Sequence, residues 1–301
     1  MLRLDSVSKV YRVGTFGGKS LQAVRDVSFD LRPGEIVSLI GESGSGKSTI
    51  GRMILRLDRV TSGTITFDQT DIAGLGRSAT RGYYREVQGV FQDPFSSYNP
   101  VFKADRVFAM IRDTYFPGVK DGEWHEKLCA SLASVGLSPG EVLNRYPHQL
   151  SGGQLQRLLI ARALLLDIRL LVADEVISML DASTRIDVLN LLADLRARGL
   201  GILFITHDLS LGNYVSDRTL ILHRGAVVEM GATEKVFGDP RHAYTRMLLA
   251  SVPKLHERWR DRQRNGDLAL PPAVPRDEPA PALVEVDTDH LVALPGKGGP
   301  S

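Results

Sequence analysis

Three short stretches combine residue types and spacings suited to phosphate chemistry. Gly41-Glu42-Ser43-Gly44-Ser45-Gly46-Lys47-Ser48 fits G-x-x-x-x-G-K-[ST] and lies between an apolar run at 35–40 and an expected helix starting near Lys47. Glycines at this spacing let the backbone curl so that successive N–H groups face one phosphate. The N-terminus of the following helix adds the positive end of its dipole. Lys47 is placed to reach β- and γ-phosphates and Ser48 to set its hydroxyl on Mg2+, so Gly41, Ser43, Gly44, Gly46, Lys47, Ser48 and Thr49 form the nucleotide-binding candidates of this stretch. Leu170-Leu171-Val172-Ala173-Asp174-Glu175 is a buried-type strand ending in two carboxylates. Asp174 suits a second Mg2+ anchor, and Glu175 suits a base that polarises water for in-line attack on a γ-phosphate. Leu150-Ser151-Gly152-Gly153-Gln154 directly precedes a helix and offers a second anion cradle, with Ser151, Gly153 and Gln154 as its candidates. Taken alone, that third stretch also reads as a Ser N-cap followed by flexible glycines.

These residues need elements to hold them. The period-2 pattern of Leu2, Leu4, Val7 and Val10, continued at 23–31, predicts strands, and Gly14, Gly17 and Gly18 mark a loop between them. Helices are expected over 101–115 and 125–135, a block read as a helical insertion between two halves of one sheet. Then come a helix over 154–166, a strand over 170–173, an amphipathic helix over 184–198 and a strand over 201–206. A hairpin is expected over 218–230 around Arg224-Gly225. This alternation predicts an α/β fold with a mostly parallel core sheet, an N-terminal antiparallel β subdomain and a helical insertion subdomain over about 93–155. Seven of the fifteen prolines fall after residue 270, so 256–301 is expected to be a Pro-rich, disordered extension whose removal from 265 onward leaves ATP hydrolysis nearly intact. A solvated helix end is the expectation for Arg258, Arg260, Arg262 and Arg264.

Composition narrows the class. Of 301 residues, 43% are hydrophobic and 24% charged, near the averages for soluble domains with a sizeable core. The 37 basic and 35 acidic residues leave a formal charge of +2, too near neutral to hold nucleic acid by bulk charge. The single cysteine, Cys129, makes neither an internal disulfide nor a Cys-ligated cluster. The most apolar stretch, 158–173, is broken by Arg162, Asp167 and Arg169, whereas a membrane span needs roughly 18 nearly uncharged residues. The opening MLRLDSVSKVY lacks the apolar core of a signal peptide, and the expectation is a soluble cytoplasmic protein.

Together these motifs resemble the ATP-binding cassette (ABC) ATPases, in which LSGGQ is the family signature; the resemblance covers roughly residues 1–255. It implies a P-loop NTPase fold of ABC type, ATP and Mg2+ as ligands, and further site residues. Tyr11 resembles the aromatic that stacks on adenine, and Gln92 in Val90-Phe91-Gln92-Asp93-Pro94 the glutamine that reaches Mg2+. Asp181 in Ser178-Met179-Leu180-Asp181 resembles the aspartate whose loop crosses to an opposite subunit, and His207 in Ile205-Thr206-His207-Asp208 the switch histidine near the γ-phosphate. The resemblance implies two cassettes paired head to tail, so that Ser151 and Gly153 of one chain meet the ATP held by Lys47 of the other. ATP closes such a dimer and hydrolysis opens it.

Within that family, Asp93-Pro94-Phe95-Ser96-Ser97-Tyr98-Asn99-Pro100 resembles the DPxxSLNP stretch of oligopeptide/dipeptide permease ATPases, with Tyr98 where leucine is usual. The stretches 146–150 (YPHQL) and 240–249 (PRHAYTRMLL) resemble the same group. This likeness implies uptake of peptides, or of nickel or oligosaccharides as in some relatives. It also implies partners: a second cassette ATPase, two transmembrane permease subunits, and, indirectly, an extracytoplasmic solute-binding protein. The expected location is then the cytoplasmic face of the inner or plasma membrane. Val176-Ile177 stand where a proline usually follows the catalytic glutamate, and Met179 where a small residue is usual. An ATPase module of a soluble complex, as in carbon–phosphorus lyase systems, is the alternative. A DNA-repair or chromosome ATPase would need a coiled coil or zinc cysteines, and a translation-factor cassette protein a second P-loop.

Overall fold

The alternating runs at the N-terminus become long paired strands, and the continuous apolar runs become short buried ones. A computed structural model describes residues 1–13, 19–251 and 280–293. The expected glycine loop at 14–18, the arginines at 258–264 and the rest of the C-terminal segment lie outside the described residues. In chain order the elements are β1 (Leu2–Val13), β2 (Lys19–Leu31), β3 (Ile36–Ile40), α1 (Lys47–Ile54), β4 (Ser62–Phe67), β5 (Thr70–Asp71), α2 (Arg77–Glu86) and β6 (Val87–Val90). Next follow α3 (Arg106–Tyr115), α4 (Asp121–Ser134), α5 (Pro139–Val142), α6 (Gly152–Leu164), β7 (Leu170–Asp174), α7 (Ala182–Ala197) and β8 (Gly201–Thr206). The chain continues through α8 (Leu209–Val215), β9 (Arg218–His223), β10 (Ala226–Ala232), α9 (Thr233–Gly238), α10 (Ala243–Ser251), β11 (Leu283–Asp287) and β12 (His290–Ala293). No described helix is long and apolar enough to cross a membrane.

The chain divides into two compact units, residues 1–74 with 203–301, and residues 75–202; β8 begins in the second and ends in the first. In the first unit, β2, β1, β4 and β5 pair in that order as an antiparallel sheet, matching the expected N-terminal β subdomain. Its other strands run β11-β12-β10-β9-β3, with β3 parallel to β9 and the remaining neighbours antiparallel. The β9–β10 hairpin turns at Arg224 and Gly225, both at positive φ (47° and 90°), the two-residue geometry whose twist matches that of paired strands. Ile40, Leu209, Ile221 and Val228 pack as one core cluster with Tyr244, Leu248 and Ala293.

In the second unit, β6 and β7 pair in parallel, and α4 packs on α6. Four of its helices begin away from the sequence boundaries; α7 starts at Ala182 rather than 184, where Asp181 caps it. The helix expected at 101 begins at Arg106, because the Ala104 N–H donates to the Arg145 carbonyl and the Asp105 carboxylate accepts from the Asn144 N–H, holding 101–105 in a non-helical path. α4 begins at Asp121, four residues early, where Asp121 and Glu123 supply acidic charge to its first turn. α6 begins at Gly152 rather than 154, for a capping reason given below.

The C-terminal segment departs most from expectation. The Pro-rich composition predicted disorder across 256–301, but residues 283–293 form a hairpin whose second strand pairs with β10 through Glu229↔Val292, Met230↔Leu291 and Gly231↔His290. His290, Val292 and Ala293 are each about 2% exposed. The His290 Nε2 lies 2.8 Å from Oε1 of Glu229, itself fully buried, and the Lys235 ammonium donates to Asp287 and to the Thr288 carbonyl. Charge pairing and burial therefore hold a strand that composition alone would leave loose. Ending the chain after residue 279 is expected to strip β10 of its neighbour and leave Glu229 short of a partner, a loss of about 2–4 kcal/mol. Thermal unfolding without nucleotide reads this as a fall of roughly 5–10 °C, and a fall below about 1 °C would show that the hairpin is not part of the packed fold.

Candidate functional site

In the first unit, the five residues of β3 are all buried and deliver the chain to the glycine-rich turn before α1. Gly46 sits at φ 108°, and a Cβ there would lie 2.4 Å from the Ala23 carbonyl oxygen, so only glycine closes the loop. A Cβ on Gly41 would meet the Leu222 carbonyl oxygen at 2.1 Å. The loop is pinned to the hairpin turn by the Gly225 N–H, which donates to the Ser45 carbonyl at 2.9 Å. Lys47 is 4% exposed and its ammonium donates to the carbonyls of Gly41 (2.7 Å) and Glu42 (2.8 Å), whereas Ser43, Gly44 and Ser48 are exposed. A buried cation thus sits within a glycine turn whose Ser43, Gly44 and Ser48 are exposed, an arrangement suited to an anion.

Tyr11 joins this group. Its hydroxyl donates to Asp58 Oδ2 at 3.0 Å and hydrogen-bonds the Thr49 side chain, and the Lys9 ammonium lies 4.8 Å over its ring. Burial and the Asp58 hydrogen bond raise the Tyr11 phenol above its ordinary range. Asp58, which also accepts from Arg52 Nε at 2.8 Å, is held below the usual carboxylate range: burial opposes ionisation, and the hydrogen bonds from Tyr11 and Arg52 outweigh it. His207 is exposed just beyond β8, and Asp208 behind it caps α8 by accepting from the Ser210 and Leu211 N–H groups.

In the second unit, β7 carries Asp174, 7% exposed, at its end and Glu175 one residue on. Glu175 adopts φ 50°, a left-handed conformation that costs a non-glycine residue roughly 1 kcal/mol or more and clusters at functional sites. Its carbonyl is fixed by the Ser178 N–H (3.1 Å) and hydroxyl (2.9 Å). Val176 and Ile177, each 2% exposed, anchor the turn in apolar surroundings, so hydrophobic burial replaces the stiffness of a proline. Met179 faces solvent. Gln92 is exposed beyond β6.

The LSGGQ stretch is a reciprocal cap. Ser151 Oγ accepts from the Gln154 N–H at 3.1 Å while Gln154 Oε1 accepts from the Ser151 N–H at 3.0 Å, which starts α6 at Gly152. A Cβ on Gly153 would lie 2.6 Å from Thr184 Cγ2. Thr184 in turn donates its N–H and hydroxyl to Asp181, which also accepts from the Ser183 hydroxyl. These hydrogen bonds, Ser183 first, hold the Asp181 carboxyl well below the usual carboxylate range.

The fold therefore gathers the sequence candidates into groups. Tyr11 joins Gly41 through Thr49 by way of Thr49; Asp174 and Glu175 share one strand end; Ser151, Gly153, Gln154 and Asp181 meet through Thr184. Asp58 and Thr184 escaped sequence reasoning. Thr184, three residues after an N-cap aspartate, carried a signal that capping patterns could have found, and Asp58 carried none. Each taken singly, Ser48 carries a hydroxyl, Gln92 an amide oxygen and Asp174 a carboxylate, oxygen donors of the kind that Mg2+ takes. Among the described residues no group of three or more His, Cys, Asp or Glu is placed to hold a metal ion.

A family model described as ABC transporter matches residues 24–178, just over half of the chain, from β2 through the phosphate loop to the turn after Glu175. The chain belongs to the ABC transporter family. It is an ATP-hydrolysing cassette of that family, with the α/β P-loop NTPase fold. A second model, the oligopeptide/dipeptide transporter C-terminal region, matches residues 228–276. A peptide import ATP-binding protein of Brucella ovis is 42% identical over 254 residues, covering 84% of this chain and 78% of its own. The oligopeptide transport ATP-binding protein OppF of Streptococcus pyogenes serotype M1 is 40% identical over 278 residues, covering 92% and 90%. Among solved structures, a dimeric ATP-binding cassette in a post-hydrolysis state bound to ADP and Pi matches with a TM-score of 0.69 at 29% identity, over 77% of this chain and 99% of that one.

Proposed function

We propose that the chain is the nucleotide-binding subunit of an ABC importer, which couples ATP binding and hydrolysis at a head-to-tail cassette dimer to uptake of peptides or a related small solute. The observation that carries this reading is the 40% identity to an oligopeptide transport subunit across nine-tenths of that subunit's length. The match of residues 228–276 to the oligopeptide/dipeptide transporter region supports it further. The dimeric state of the solved cassette supports the pairing of two cassettes.

In this reading the loop amides from Gly41 through Thr49 bind the nucleotide phosphates. Lys47 exchanges its two carbonyl contacts for β- and γ-phosphate oxygens, and Tyr11 packs on adenine. Ser48, Gln92 and Asp174 hold Mg2+, which when bound neutralises phosphate charge. Glu175 orients and deprotonates the attacking water, and His207 contacts the γ-phosphate. Ser151, Gly153 and Gln154 present the α6 N-terminus to the ATP of the opposite cassette, with Asp181 in the loop beside them. Binding thereby closes the dimer, and loss of the γ-phosphate releases it. The partners in this reading are a second cassette ATPase, two transmembrane permease subunits that this chain meets at the cytoplasmic face of the membrane, and a solute-binding protein reached through them.

Affinity purification of tagged E175Q with Mg-ATP from gently solubilised membranes tests the reading. Recovery of two multi-span permease chains and a second cassette ATPase is the expected result. Recovery of soluble enzymes alone would overturn the transport reading and favour the soluble-complex alternative.

A further inference from the structure

The Gly41–Glu42 peptide is held from both of its polar ends. Its carbonyl, that of Gly41, accepts from the Lys47 ammonium at 2.7 Å. Its N–H, that of Glu42, donates to the hydroxyl oxygen of Tyr244 at 3.3 Å. A peptide unit is planar and rigid, so fixing the N–H fixes the direction of the carbonyl that Lys47 uses. The next carbonyl, that of Glu42, accepts from Lys47 (2.8 Å) and from the Ser45 N–H (3.2 Å), so the same segment also shapes the glycine turn.

Tyr244 is equipped to impose a position rather than follow one. It is 1% exposed and packs in the core cluster beside Ile40, the residue that leads into the loop. Its ring stacks on His223 with centroids 3.9 Å apart and planes 14° apart. The Tyr244 N–H donates to His242 Nδ1, and the N–H groups of Arg241 and His242 donate to the two oxygens of buried Glu229. Burial pushes the phenol up to about 12, so at neutral pH it is the uncharged hydroxyl oxygen that accepts from the Glu42 N–H.

We propose that Tyr244 is a positioning residue of the phosphate-binding loop, setting the Gly41–Glu42 peptide plane and through it the shape of the glycine turn that receives the phosphates. The proposal rests on the ATP-binding activity of the family and goes beyond it, since it makes the C-terminal helix α10 a determinant of nucleotide affinity. Tyr244 does not touch nucleotide in this scheme; it acts through the loop.

The full-length Y244F variant keeps the ring and its stacking and removes only the acceptor. Its affinity for a fluorescent trinitrophenyl-ATP probe is expected to weaken by about 3- to 10-fold, the range for one lost hydrogen bond. The KM for ATP is expected to rise in parallel while kcat at saturating ATP stays within about two-fold. As a comparison, L248A damages the same core cluster away from the loop; it is expected to lower the thermal midpoint and leave probe affinity within about two-fold. Wild-type affinity in Y244F, or an equal loss in L248A, would overturn the proposal. K47A supplies the reference for no binding. If wild-type protein bound the probe no better than K47A, the ATP-binding reading would fall with it; wild-type binding with an unaltered Y244F would overturn this proposal alone.

Discussion

Replacing Lys47 with alanine is expected to reduce ATP affinity by at least about 100-fold. A unit charge about 4 Å from a phosphate at a protein surface contributes on the order of 4 kcal/mol, and each 1.4 kcal/mol is tenfold in affinity. Lys47 is the buried cation of the loop, and its ammonium already rests on the Gly41 and Glu42 carbonyls, within the turn that would receive the phosphates. Alanine removes the cation and also takes the ammonium donor from both carbonyls, of which that of Glu42 keeps the Ser45 N–H, so a modest fall in stability of about 1–2 kcal/mol accompanies the loss of binding. Calorimetric titration with Mg-ATP separates the two effects, because thermal unfolding without nucleotide reports the second alone. ATP affinity within about threefold of wild type would remove Lys47 from the phosphate site.

The second large effect is expected at Glu175. E175Q keeps the shape of the side chain and its hydrogen-bonding reach while removing the basic oxygen. Removing a positioned general base typically costs about 100- to 10,000-fold in rate. ATP binding should remain, so the variant accumulates the ATP-bound closed dimer, seen as a nucleotide-dependent shift in size-exclusion chromatography. The backbone explains why the position is sensitive. Glu175 sits at φ 50°, held there by two hydrogen bonds from Ser178 and by the buried side chains of Val176 and Ile177. Glutamine meets the same steric conditions as glutamate, so the fold should be unchanged. Turnover within about threefold of wild type would mean that another group activates the water.

Much of this protein is local, and what is local was legible in the sequence. The P-loop is a strand, a glycine turn and a helix in immediate succession, and its conformation follows from dihedral permission at Gly46 and from the buried run of β3. The reciprocal cap of Ser151 with Gln154 and the caps at Asp181 and Asp208 span three residues each, so side-chain reach alone determines them. The β9–β10 hairpin was equally readable from Arg224-Gly225 between two apolar runs.

Tertiary structure decided what depends on partners far along the chain. Local pattern gives no account of a strand that becomes ordered only because an edge is waiting for it. Residues 283–293 lie in a Pro-rich segment, yet β10 offers backbone partners and Glu229 a buried carboxylate for His290, sixty-one positions away. Nor does the sequence by itself connect Tyr244 with Glu42, because a hydrogen bond across two hundred residues has no periodicity to read. The sequence by itself determined the chemistry of the loops, because backbone dihedrals and capping act over a few residues. Only the packed fold decided what steadies them, since burial and long-range hydrogen bonds exist after the chain has come together.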